Sequence, residues 1–80
     1  FTKLSVIMEY ELKTDVSHFF IREEPLGLWD LWVDEMPTLT FSTPEEAAEA
    51  VADQRTGYVV WDQLESHSAP PDLSGWMCHD

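Results

Sequence analysis

Along Val6, Met8, Tyr10 and Leu12 apolar residues alternate with Glu9, Glu11 and Lys13, the period of two that puts one side of a strand into a core. Leu4, Ile7, Met8 and Leu12 also fit a helical spacing, and the strand is the preferred reading. Thr14-Asp15-Val16-Ser17 reads as a turn, and His18 to Arg22, rich in aromatic and β-branched types, as a second strand. Pro25-Leu26-Gly27 ends it. Leu28 to Val33 forms a third strand, with Trp29, Leu31 and Val33 on one side and Asp30 and Trp32 on the other. The turn Asp34-Glu35-Met36-Pro37 leads to a fourth, Thr38 to Phe41.

The period then changes. In Ser42-Thr43-Pro44-Glu45-Glu46, Thr43 caps a helix, Pro44 takes the first helical position without losing a hydrogen bond, and Glu46 completes a capping box. The helix runs through Ala47, Ala48, Ala50, Val51 and Ala52 and is expected to stop near Arg55-Thr56-Gly57, with Gly57 in the left-handed conformation. Tyr58 to Trp61, apolar throughout, reads as a last, central strand.

Residues 65–80 hold Ser, Pro and Gly without sustained periodicity and form an extended tail behind a domain of residues 1–64. Leu73 and Trp76 are expected to dock it in part, since each gains roughly 2 kcal/mol on burial. The order is therefore ββββαβ: a small α+β domain with a mostly antiparallel sheet of four or five strands and one Ala-rich helix on one side. Small residues at Ala47, Ala48 and Val51 let the helix lie close, with Trp29, Leu31, Val33, Leu39 and Phe41 supplying the bulk. One helix covers one side of such a sheet. The other must be solvated, covered by the tail or buried against a partner.

Composition narrows the partners. Sixteen Asp and Glu against four Lys and Arg give a net charge of −12 on 80 residues, which opposes direct binding to nucleic acid or to anionic membranes. The single cysteine, Cys78, cannot close an intramolecular disulfide. The apolar runs are far short of the ~20 residues that span a bilayer, and the stretch at the start is too short for a signal-peptide core. A cytoplasmic setting is the expectation.

Two sets of residues stand out. Glu45, Glu49 and Asp53 recur at i, i+4 on the helix with Glu46 beside them, an acidic stripe that is either a solvated face or a surface for a basic protein. The second set is aromatic. Phe19, Phe20, Trp29, Trp32, Tyr58, Trp61 and Trp76 together exceed what a small core absorbs, which makes Phe20, Trp32, Trp61 and Trp76 candidates for an interface. His67, Cys78, His79 and Asp80 are zinc-type ligands without the spacing of a structural site, so no metal or other cofactor is expected. Asp30 and Glu23 could do acid and base work only if they flanked one cleft. There is no nucleophile elbow and no phosphate-binding loop, and no enzyme is expected.

The reading that follows is a protein acting by contact with other proteins, self-associating through an aromatic sheet face. Its alternatives are an acidic inhibitor or immunity protein that mimics nucleic acid and binds a basic enzyme, and a module that binds a small molecule.

Overall fold

The computed structural model describes residues 8–79, so the expected strand start at Val6 lies outside the described residues. Five strands form one antiparallel sheet: β1 (Glu9–Lys13), β2 (His18–Glu23), β3 (Trp29–Val33), β4 (Met36–Phe41) and β5 (Met77–His79), in the spatial order β4-β3-β2-β1-β5. The main helix is α1 (Pro44–Ala52), followed by a single turn of helix, α2 (Val59–Asp62).

Turn chemistry sets the register of the first four strands. Lys13 pairs with His18 across residues 14–17. There the Thr14 hydroxyl donates to the Ser17 carbonyl at 2.8 Å and accepts from the Val16 and Ser17 amides at 3.2 and 2.9 Å. Val33 pairs with Met36, leaving Asp34 and Glu35 as a two-residue loop with φ of 49° and 69°. Positive φ at both positions marks the hairpin turn whose twist matches that of the strands. Asp34 also accepts from the His18 amide at 2.9 Å through its side chain, which ties the loop to the neighbouring strand. Pro37 has no N–H, which is tolerated because β4 is an edge strand with no neighbour on its outer side. A bulge at Thr38 shifts the register between Leu31 and Trp32.

Thr43 caps the helix as read, with the Glu46 amide donating to its hydroxyl at 3.2 Å, but the Glu46 carboxylate accepts from the Ser42 amide at 3.1 Å, one residue before the cap, instead of closing the box on Thr43. The helix end also differs. The helix stops at Ala52, and the left-handed residue is Gln54 (φ 59°), with Arg55 N–H bonded to the Ala50 carbonyl at 2.8 Å and Gln54 N–H to that of Val51 at 3.2 Å. These two bonds form a Schellman closure. Glutamine stands where glycine is usual because its side-chain amide donates to the Trp61 and Leu64 carbonyls at 2.9 and 2.8 Å, satisfying the end of α2.

Tyr58 to Trp61 is therefore not a strand. It enters and forms α2, and the fifth strand comes from the tail, where Met77–His79 pairs with β1. The reason is local: the Asp62 carboxylate accepts from the Thr56 amide and hydroxyl and from the Gly57 amide, at 3.0, 2.7 and 2.9 Å. That set of bonds winds the chain into a turn instead of extending it. Gly57 keeps its expected positive φ (83°), but at this turn and not at the end of α1.

The core lies between the sheet and α1. Phe19, Ile21, Leu31 and Val33 meet Ala47, Ala48 and Val51, with Trp61 closing one end and Trp76 docked beside Phe19. Leu73 packs against the same cluster. The bulk comes from the two central strands and these Trp, whereas Leu39, on the edge strand, stays 41% exposed.

Gly75 fixes the path back to the sheet, because a Cβ there would overlap the Cβ and Cγ of Pro70. Gly75→Ala is expected to cost about 1–3 kcal/mol, as overpacking does, with the loss concentrated in β5. Hydrogen exchange should show faster exchange of the β1 and β5 amides with that of β2 and β3 little changed. Equal loss everywhere would contradict a local effect.

Candidate functional site

The register places odd-numbered residues of β1 on the same side of the sheet as even-numbered residues of β2 and β3. Phe19, Ile21, Leu31 and Val33 point to α1, and His18, Phe20, Arg22, Asp30 and Trp32 point to the open side. Phe20 and Trp32 are directly paired there across β2 and β3. The Arg22 guanidinium lies over both rings, 4.2 Å from the centre of Phe20 and 4.9 Å from that of Trp32, while its Nε donates to Glu9 at 2.7 Å. The His18 ring stacks on Phe20 at 4.4 Å. The centre of the open face is thus an aromatic pair capped by one cation, an arrangement worth roughly 0.5–1 kcal/mol at an exposed site.

Glu11 organises the margin. One carboxylate oxygen contacts His18 Nε2, and the other contacts His79 Nε2 at 2.8 Å, so β1 is bridged to both of its neighbours. The hydrogen bond from His79, then that from His18, holds the Glu11 carboxyl below the ordinary carboxylate range, against the opposing effect of burial. A depressed acid stabilises the fold above its unfolded value, and this contribution disappears as pH falls through the folded value. Below about pH 4.5 the wild type is therefore expected to lose stability more steeply than Glu11→Gln, read as denaturation midpoints from pH 6 to 2. Parallel curves would remove the bridge from consideration. Glu24 works in the other direction: a hydrogen bond with Asp30, then burial, then the Asp30 charge raise it, so its contribution is present at low pH and declines as pH rises. The difference between the two proteins isolates Glu11.

The four candidate interface aromatics do not share a surface. Phe20 and Trp32 line the open face, but Trp61 and Trp76 are 0% and 6% exposed on the helix side, because they fill the space that the Ala-rich helix leaves. Among the candidate stripe residues Glu45, Glu46, Glu49 and Asp53, all exposed, Glu46 serves the helix cap and Asp53 pairs with Arg55 at 3.3 Å. Asp30 and Glu23 point to opposite sides of the sheet and cannot flank one cleft.

His67 is occupied structurally. Its Nε2 donates to the Ala52 carbonyl at 2.9 Å, its Nδ1 accepts from the Ala69 amide at 3.1 Å, and its ring stacks on Trp61. Cys78 and His79 point to opposite sides of β5, opposite Tyr10 and Glu9 respectively, and Asp80 lies outside the described residues. No group of three or more His, Cys, Asp or Glu among the described residues is placed to hold a metal ion. No described helix is long and apolar enough to cross a membrane.

What sequence reasoning missed is the charge of the open face. Among the described residues its strands carry Lys13 and Arg22, two of the four Lys and Arg, with Glu9, Glu11 and Asp30, and Glu24 is bonded to Asp30 at its edge. Alternation assigns these residues to a side, but only the strand order shows that they adjoin. Comparison of the chain with protein-family models, with curated proteins and with solved structures gave no match.

Proposed function

We propose that this protein acts by protein contact and self-associates through the open face of its sheet, with Phe20 and Trp32 at the centre of the contact. The observation that carries this reading is that the aromatic pair coincides with the part of the surface that holds two of the four Lys and Arg, Lys13 and Arg22. A chain with net charge −12 repels its own copies over most approaches, and a face that holds cations relieves that repulsion. Opposite charges within the face also allow two copies related by a two-fold axis to pair Arg22 and Lys13 with Glu9, Glu11 or Asp30. The sheet edges offer less: one bears Pro37 and a bulge, and the other is three residues long.

The acidic stripe supports the alternative, an inhibitor of a basic enzyme, more weakly, since two of its four carboxylates already serve the helix and Arg55. Light scattering at micromolar concentration tests the preferred reading. A dimer that persists in ~0.5 M salt, where surface charges are screened, and that becomes a monomer in Trp32→Glu with unchanged circular dichroism, is the expected result. A wild-type monomer, or a Trp32→Glu protein that remains dimeric, refutes it.

A further inference from the structure

A groove of about 530 Å³ opens on the helix side, between the start of α1, the β1–β5 pair and the turn at Leu73–Gly75, away from the face proposed for self-association. Tyr10, Leu73 and the edge of Trp76 supply apolar surface, and Glu45, Asp72 and Ser74 supply polar groups. No Lys, Arg or His lines it among the described residues. This volume falls within the range of small-molecule sites.

The carboxylates around the groove are available. Asp72 uses one oxygen, Oδ1, for the Ser74 amide at 3.0 Å and for the Ser74 hydroxyl at 2.5 Å. Its other oxygen, and both oxygens of Glu45, have no hydrogen-bond partner among the described residues. The hydroxyl and then the amide of Ser74 hold the Asp72 carboxyl low, so it stays charged. The Tyr10 phenol is pushed up, first by burial and then by its neighbours Cys78, Glu45 and Glu23.

We propose that this groove binds a small organic cation, an ammonium ion with an apolar body, whose charge faces Glu45 and Asp72 and whose body lies on Tyr10, Leu73 and Trp76. Apolar surface alone would take any hydrophobic solute. Carboxylates beside that apolar wall select a positively charged one, since an unpaired anion attracts a cation and gives a neutral solute no comparable gain.

The test is an amide chemical-shift titration of the folded protein with choline and, separately, with 3,3-dimethyl-1-butanol, its uncharged isostere. Saturable shifts confined to Tyr10, Glu45 and residues 73–78 are expected, with choline bound roughly tenfold more tightly than the alcohol. Glu45→Gln, an exposed change that leaves the core alone, should weaken choline several-fold and leave the alcohol unaffected. Glu49→Gln removes the same charge from the same helix outside the groove and should leave both titrations unchanged. Equal affinity for the two probes, shifts spread over all acidic residues, or equal losses in the two variants would mean a diffuse counterion effect and overturn the proposal. Because the groove and the open face lie on opposite sides of the sheet, this result stands or falls apart from the oligomeric state.

Discussion

Replacing Trp61 with Ala is expected to destabilise the protein by about 3–5 kcal/mol, the range for removing a buried aromatic and leaving a cavity. For a domain this small that is a large part of the total stability. Trp61 is fully buried, meets Phe19 edge to face with ring centres 4.8 Å apart, and donates from Nε1 to the Val51 carbonyl at 2.9 Å. It also carries the His67 ring at 5.0 Å, so its loss loosens the segment that leads from α2 to the C-terminal turn. The helix it packs against is built of alanines, which have no side-chain reach with which to fill the space. Trp61→Phe keeps a ring and loses the indole N–H, and should fall roughly midway. The Val51 carbonyl still accepts from the Gln54 amide in either variant, so the effect is mainly volume. Denaturant midpoints at neutral pH measure it. A change under about 1 kcal/mol for Trp61→Ala, the scale of an ordinary substitution, would show that the core closes without this side chain.

The same residue marks the boundary of what the sequence made legible. Strands β1 to β4 follow from alternation and turn residues, and α1 from Thr43, Pro44 and Glu46, because those signals act within a few positions of one another. Tyr58 to Trp61 carries no such signal. An apolar run of four satisfies a central strand and a buried helical turn equally, and the choice is made by Asp62, which bonds backward to Thr56 and Gly57. Strand β5 is exposed along its whole length, so no alternation announces it. It forms because Trp76 and Leu73 anchor the tail beside a free edge of β1. For the candidate site, the sides taken by Phe20 and Trp32 were legible, and the side of the sheet on which Trp61 and Trp76 lie was not. Alternation says which residues share a side, but which side the bulky groups of the tail and α2 will fill depends on how small the helix is. Arg22 over Phe20 and Trp32 belongs to the same class, since it depends on adjacent strands being in register.

Asp62→Ala is expected to cost about 2–4 kcal/mol, because it leaves several donors without an acceptor, each buried one worth about 1–3 kcal/mol. Thr56 is fully buried, so water cannot replace the carboxylate at its hydroxyl and amide. Four residues are too few for α2 to persist by propensity. What holds it is Asp62 at its base and the Gln54 side chain at its end. Asp62→Asn keeps one carbonyl oxygen for Thr56 but turns an NH2 group toward the Gly57 N–H, two donors face to face, and should lose about half as much. Thr56→Val removes the hydroxyl donor at nearly constant volume, although the hydroxyl also accepts from the Tyr58 amide at 3.0 Å. If the carboxylate acts through Thr56, the Asp62→Ala and Thr56→Val double variant should be less destabilised than the sum of the two single changes, by about 1 kcal/mol or more. Additive losses in urea denaturation would show that the two residues act separately and that the carboxylate works through Gly57 and not through Thr56.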